Sequence, residues 1–455
     1  MTNQSIQIRR KSPLAVVLLA AGKGTRMQSD RPKAMHCLGG QPMIRQLLGS
    51  VETLSPDRIV VVIGPDMDDV ADTVAPYVSV VQIERLGTGH AVLQARSALK
   101  DFRGDILVLF GDTPLIMADT ISGLINARIQ GEGFNIAVLG FCLENPIGYG
   151  RLITDETGDL LGIIEEQDAT EEQRGIKLCN SGAMVFEGNI LFDLLEKISK
   201  DNAKGEYYLT DVISCARDEG KRCAVFEGSE EELHGVNNRA DLARAESILQ
   251  TRLRLRALSN GVTLQDPSTT WMSVDTRFGK DVTVGPNVFL GPGVDIGDRV
   301  EIRAFSHLEG VVVKADAMIG PFARLRPNAV VGERVRIGNF VEVKESEIES
   351  GAKINHLAYI GDARVGEGAN IGAGTITCNY DGLSKHRTDI GANAFIGSNS
   401  ALIAPVSIGD RAMVGAGSTI TDDIEADALA VTRADQKTVK GGSARWRKRH
   451  SPGDD

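Results

Sequence analysis

Val284-Gly285-Pro286-Asn287-Val288-Phe289-Leu290-Gly291-Pro292-Gly293-Val294-Asp295-Ile296-Gly297 is the stretch that decides the fold. A branched aliphatic residue returns there every six positions, and Gly follows it. The register runs on through Ile302 and Leu308, resumes at Ile319, Leu325, Val331, Ile337 and Val343, and continues at Ile354, Ile360 and Ile371. It then passes through Ile390, Ile396, Leu402, Ile408, Val414 and Ile420. A six-residue period fits neither the helical 3.6 nor the strand period of 2, so it belongs to a larger coil. Hexapeptide self-similarity predicts a parallel β-helix. Each hexad forms one flat side of a triangular coil, its aliphatic residue pointing into the axis. The Gly that follows is expected to permit the tight corner. No coil buries its own apolar residue, so the array is stable only when stacked.

Outside this stretch the chain is ordinary for a water-soluble protein. Its 455 residues are too many for one core and predict two or three domains. The net charge of −11 argues against an overall nucleic-acid binder. Cys37, Cys142, Cys179, Cys215, Cys223 and Cys378 show no CxxC and no dense spacing, so the expectation is neither a zinc site nor a disulfide framework, and a cytoplasmic location. Arg9, Arg10 and Lys11 ahead of the apolar run Leu14 to Ala21 imitate a short signal peptide. The run passes straight into Gly22-Lys23-Gly24-Thr25-Arg26, which reads instead as a first β-strand and its loop. No stretch is long enough to span a membrane.

The N-terminal half alternates apolar strands (Ala15 to Leu19, Ile59 to Ile63, Ile106 to Phe110) with amphipathic helices near Met43–Leu54 and His90–Leu99. This is the doubly wound α/β pattern, in which ligands sit at the carboxyl ends of the strands. The loop after the first strand, Leu19 to Met27, has glycines that let backbone N–H groups approach phosphate, with Lys23, Arg26 and Lys33 adding charge. It lacks the spacing of a Walker loop. Asp112, after the strand ending at Phe110, suits Mg²⁺, a hard cation that takes one or two protein oxygens. Taken alone it would be an N-cap, as would Asn237 or Asn238. Gln82 and Leu86-Gly87-Thr88-Gly89-His90 add a second Gly turn. Gly150, Glu165 and Asn180 offer a small backbone gap, an acceptor and an amide. Arg239 to Leu258 reads as a helix whose stripe is Leu242, Ala245, Ile248, Leu249, Arg252 and Leu255, stopped by Asn260-Gly261.

In the coil half, the hexads break between Thr377 and Asp389, where the polar loop Asn379 to Arg387 is expelled. Insertions of this kind often carry function. Arg326, Lys344 and Lys385 are cations suited to a sugar phosphate. His356 is an imidazole, the side chain best able to take a proton near neutral pH from an amine attacking a thioester. A purely scaffolding β-helix, the alternative, needs neither the loop nor His356.

String by string, from Leu19 to about Arg433, these residues resemble the bacterial family of bifunctional N-acetylglucosamine-1-phosphate uridylyltransferases / glucosamine-1-phosphate N-acetyltransferases. The resemblance implies an α/β plus all-β chain: a doubly wound, Rossmann-like nucleotidyltransferase domain over 1–238, a connecting helix over 239–261, a left-handed parallel β-helix over 262–440, and a flexible basic tail over 441–455. It implies that Leu19, Ala20, Ala21, Gly22 and Lys33 line the nucleotide and its phosphates. Gln82, Gly87 and Thr88 would hold the uracil, Asp112 and Asn237 would bind Mg²⁺, and Gly150, Glu165 and Asn180 would hold the sugar. Arg26 and Lys33 would neutralise the transferring phosphoryl group of UTP. The chain departs from the family at Arg85, where many relatives carry a second Gln, so that base contact is not carried over. In the coil, His356 would be the base, with Arg326, Lys344, Tyr359, Asn370 and Lys385 at the sugar phosphate. Ala373, Asn379, Tyr380, Ser398, Ala416 and Arg433 would serve acetyl-coenzyme A, Asn379 and Tyr380 also reaching the sugar. The resemblance implies a homotrimer with small-molecule substrates, no membrane and no nucleic acid; Arg445-Trp446-Arg447-Lys448-Arg449-His450 reads as a solvated terminus.

Overall fold

A computed structural model describes residues 12–130 and 133–450. Arg9, Arg10 and Lys11, and the end of the tail over 451–455, lie outside the described residues. The chain divides into two compact units, one ending at Arg252 and the other beginning at Leu253.

The first unit is built on a mixed sheet with nine strands among the described residues. Leu14–Leu19, Arg58–Ile63, Val78–Val81 and Asp105–Phe110 are parallel, with Leu14–Leu19 between Asp105–Phe110 and Arg58–Ile63. The near-continuous apolar runs of Leu14–Leu19, Arg58–Ile63 and Asp105–Phe110 are buried because both faces of the sheet are covered there, whereas Val78–Val81 is largely exposed. Val16, Leu18, Val61 and Leu107 enter one core, while Ala15, Val17, Val60 and Val108 enter the other. Leu178–Glu187 runs antiparallel to all three strands it pairs with, a reversal that the apolar runs do not disclose. The pairing of Leu19 with Phe110 sets the ends of the two central strands side by side. Ala20–Gly22 and Gly111-Asp112 therefore open at one edge.

The helix expected over His90–Leu99 begins at Thr88 and tightens to a 3₁₀ helix over Gln94–Leu99. The long helix spans Arg239–Ser259 and ends at Gly261, whose φ of +87° turns the chain away. Its stripe needs correction. The buried apolar residues are Ala245, Leu249, Leu253 and Ala257, spaced by four, and Leu255 is 59% exposed. The expected stripe leaves this line at Arg252, a half-buried cation, and at Leu255, which faces solvent.

The second unit is a left-handed parallel β-helix of three sheets with ten, nine and eight strands among the described residues. Val284 pairs with Ile302, Ile302 with Ile319, and Ile319 with Ile337, so like residues stack from coil to coil. These aliphatics are almost wholly buried. Where the polar loop is expelled, Ile371 pairs with Ile396 and the stack continues without a break. The residue that follows each aliphatic was assigned the wrong task. Corners fall further along the hexad, at left-handed positions filled by Asn287, Arg299, Phe305, Phe322 and Asn328 among others. The glycine beside the aliphatic lies against the next coil. A Cβ on Gly285 would stand 2.7 Å from Ala304 N, and one on Gly391 would stand 2.5 Å from Asp410 N. At Gly285 and Gly391 close stacking of backbones, not turn geometry, excludes the side chain, whereas Gly320 after Ile319 does take a left-handed φ of +88°. Gly442–His450 forms a short exposed helix. No helix among the described residues is long and apolar enough to cross a membrane.

Candidate functional site

Each unit holds a set of the expected residues. In the first unit a cavity of about 240 Å³ is lined by Leu19, Ala20, Ala21, Gly22, Lys33, Gln82, Gly87, Thr88 and Asp112, all anticipated, and also by Arg85, Phe110 and Glu206. Lys33 Nζ donates to Asp112 Oδ2 at 2.6 Å and to Asn237 Oδ1 at 2.9 Å, and Arg26 Nη2 reaches the same Asn237 oxygen at 3.0 Å. A carboxylate and an amide oxygen thus converge on one cationic point. This donor set fits Mg²⁺, which needs few protein oxygens and completes its shell with phosphate and water. Asn237 is held from below, its N–H and that of Asn238 both donating to Asp241 Oδ2.

Gln82 Nε2 donates to Gly87 O at 3.0 Å, shaping the second Gly turn, and Thr88 Oγ1 accepts from Leu209 N at 2.9 Å. Arg85 Nε donates to Ala21 O at 2.9 Å, so this side chain braces the first loop. Gly150, Glu165 and Asn180 do not line this cavity and form a separate cluster. Asn180 N donates to Gly150 O at 2.8 Å, and Thr210 Oγ1 donates to Glu165 Oε1 at 3.4 Å. Burial raises the Glu165 carboxyl above its ordinary value. Burial, followed by the charges of Glu165 and Asp168, pushes Asp211 up to about 6. Arg151, only 1% exposed, fastens this region through Glu166 and the Arg174 carbonyl.

In the second unit His356 closes the strand Lys353–His356, its Cα partnered with Asn339 one coil before. His356 Nδ1 lies 2.7 Å from Asn339 Oδ1. The amide oxygen only accepts, so Nδ1 carries a hydrogen, and in the neutral ring the lone pair falls on Nε2. Leu357, with φ +52°, turns the corner to Tyr359 on the next face. There Lys344 Nζ lies 3.4 Å from Asp362 Oδ2, and Asn379 Nδ2 donates to the same oxygen and to the Tyr359 hydroxyl at 3.5 Å. Arg326 Nη1 is engaged by Glu342 Oε1 at 2.8 Å. Asn370 pairs with Lys353, one coil along from the strand that bears His356.

The expelled loop folds back on itself. Tyr380 bridges Lys385, and Asp381 Oδ1 accepts from Leu383 N and Ser384 N while its Oδ2 meets His386 Nε2 at 2.7 Å. The Lys344 ammonium beside it holds Lys385 below its ordinary pKa. Ala373, Ser398 and Ala416 stack over successive coils. Asn399 N donates to Ala373 O at 2.7 Å, Gly417 N to Ser398 O at 2.8 Å, and Arg433 Nη1 to Ala416 O at 2.6 Å. Glu206, Asn339 and Asp362 escaped the sequence reading. Each is a single polar residue with no spacing signal of its own, although the stacking register would have placed Asn339 beside His356.

Against known proteins, a MobA-like NTP transferase domain model matches residues 16–173, a GMPPB C-terminal domain model matches 307–381, and a hexapeptide repeat model of succinyl-transferase matches 387–422. The bifunctional protein GlmU of Paramagnetospirillum magneticum is 56% identical over 96% of this chain and 97% of its own. That of Rhodospirillum rubrum is 58% identical over 95% and 97%, and that of Zymomonas mobilis 48% over 96% and 98%.

Proposed function

This chain belongs to the family of the bifunctional protein GlmU, a uridylyltransferase joined to an acetyltransferase, and on that premise we propose how its residues divide the work. The β-helix acetylates glucosamine 1-phosphate. His356 Nε2 takes the proton as the amine attacks the thioester of acetyl-coenzyme A, Asn339 holds the ring in that tautomer, and coenzyme A leaves as the thiol. Arg326, Lys344 and Lys385 hold the sugar phosphate, with Tyr359 and Asn370 at the sugar. Ala373, Asn379, Tyr380, Ser398, Ala416 and Arg433 seat acetyl-coenzyme A, with Asn379 and Tyr380 also reaching the sugar.

The α/β half joins the product to UTP. The sugar phosphate oxygen attacks the α-phosphorus and pyrophosphate departs, so no side-chain nucleophile is needed. Leu19, Ala20, Ala21 and Gly22 cradle the nucleotide, Gln82, Gly87 and Thr88 hold the base, and Gly150, Glu165 and Asn180 hold the acetylated sugar. Arg26 and Lys33 oppose the charge gathering on the transferring group. Mg²⁺, when held by Asp112 and Asn237, would neutralise phosphate charge. The observation that supports this half is the convergence of Asp112 and Asn237 on the Lys33 ammonium.

The acetyltransferase works as a homotrimer. Phe305, Phe322 and Phe340 stack at 4.9 and 5.1 Å, all exposed, along the corner that continues to Leu357 beside His356, a ladder that further copies would cover. The enzyme acts in the cytoplasm, where UTP and acetyl-coenzyme A are made. One assay tests the scheme: glucosamine 1-phosphate, acetyl-coenzyme A, UTP and Mg²⁺ should yield UDP-N-acetylglucosamine by mass, and omitting acetyl-coenzyme A should abolish it. Sedimentation should give three copies for the native chain and a smaller species for Phe322→Asp. A monomeric native chain with full acetyl transfer would overturn the assembly.

A further inference from the structure

We infer that Arg239 and His36 form a positioning pair for uridylyl transfer, tying the two turns that carry Arg26 and Lys33 to the segment that carries Asn237. The inference rests on the roles proposed above for Arg26, Lys33, Asp112 and Asn237. Arg26 sits in the 3₁₀ turn Thr25–Met27 and Lys33 in the turn Lys33–Met35. Arg239, the first residue of the long helix, lies two positions after Asn237. Its Nε donates to Met27 O at 3.1 Å, closing on the first turn, and its Nη1 lies 3.2 Å from His36 Nδ1, closing on the second.

A guanidinium has donors only, so His36 Nδ1 must accept and the ring must be neutral with its hydrogen on Nε2. His36 is 5% exposed, and its Nε2 is buried with no hydrogen-bond partner among the described residues. A buried unsatisfied N–H is costly, and the polar bond that orients this ring is the one to Arg239. The charged groups that face the ring, Arg239 and Arg31, are both cations. His36 N in turn donates to Lys33 O at 3.3 Å, and His36 O accepts from Met43 N at 2.9 Å, so the ring is built into the turn that aims Lys33. The same helix reaches this region again through Glu246, which accepts from Gly39 N at 2.8 Å. Neither Arg239 nor His36 lines the cavity. They act through the placement of Arg26 and Lys33 against Asn237 Oδ1.

The test compares Arg239→Lys, His36→Leu and His36→Asn in the full chain, measuring kcat and KM for UTP by pyrophosphate release, with acetyl transfer and thermal unfolding on the same samples. Lys cannot span both partners, and Leu removes the acceptor. Asn sets its Oδ1 near the place of Nδ1 and so restores it. Arg239→Lys and His36→Leu should lower kcat about tenfold or more while KM for UTP moves far less, since small misplacements cost rate steeply. His36→Asn should recover most of that loss. A normal kcat in Arg239→Lys, or a His36→Asn no better than His36→Leu, overturns the inference. Should His36→Leu unfold, Arg239→Lys and His36→Asn decide the matter. Asp112→Ala run in parallel separates the failures: full turnover there sinks the underlying site, whereas a dead Asp112→Ala beside an unimpaired Arg239→Lys sinks this inference alone.

Discussion

Lys33 Nζ stands 2.6 Å from Asp112 Oδ2 although 79 positions separate the two residues. Neighbouring parallel strands bring them together, since Leu19 ends level with Phe110 and the loops that follow share one edge. Replacing Asp112 with Asn keeps the shape and removes the charge, leaving the ammonium and any bound cation without a carboxylate. Uridylyl transfer should fall by about a hundredfold or more. Acetyl transfer in the same sample should be unchanged. Pyrophosphate and thiol release, read side by side, check both halves of this expectation.

The second site should respond in mirror image. His356→Ala removes the base and should slow acetyl transfer by about 10²–10⁴-fold. Asn339→Ala leaves the imidazole but frees its tautomer, so its loss should be smaller and in kcat rather than in KM for acetyl-coenzyme A. Thiol release with and without glucosamine 1-phosphate measures both, and equal defects in the two variants would contradict an orienting role for Asn339.

Glycines in the coil should separate by cause. Gly391→Ala drives a Cβ to 2.5 Å from Asp410 N and forces two coils apart, costing about 1–3 kcal/mol. Gly351 has open space around it and a φ of +72°, so Gly351→Ala bears only the strain of a left-handed residue, about 1–2 kcal/mol. Denaturant unfolding of the two variants should rank Gly391→Ala as the more damaging. It should also broaden or split the transition, because the stacking that a single coil lacks is what has been disturbed.

Asp211 offers a pH test. Its carboxyl is held at about 6, above the ordinary 3.8, by burial and then by the charges of Glu165 and Asp168. The folded chain therefore binds this proton more tightly than the unfolded chain. The stabilisation is complete below about 4 and is lost as pH rises through about 6. Asp211→Asn, uncharged throughout, should melt higher than the native chain at pH 8, by about 2 °C. The gap should close as pH falls from about 7 to 4. A difference that does not vary with pH would mean that the carboxylate's charge is not what is being relieved.

Much of the architecture could be read in advance because its signals are local and periodic. Val284, Ile302 and Ile319 recur in hexads, and a six-residue period has few physical interpretations. The runs ending at Leu19 and Phe110 announced buried parallel strands, and the glycines after Leu19 announced an open loop at their carboxyl ends. The same reading failed where a residue's task is set by what lies across from it. Gly391 was taken for a corner, yet it is the next coil's backbone that forbids a side chain there. Arg252 and Leu255 were placed on a helix stripe whose true line, Ala245 to Ala257, depends on what covers it.

The amino-acid sequence alone therefore determined the two-part plan and the stacked coil, since each is written in spacing that a short window contains. Only the tertiary structure decided that Asn339 would orient His356, that Asp362 would join Lys344 to Asn379, that Glu206 would enter the cavity beside Leu19 and Asp112, and that Arg239 would reach both Met27 and His36. Those relations join residues distant in sequence, and hydrogen-bond partners at 3 Å leave no trace in composition or period until the chain has folded.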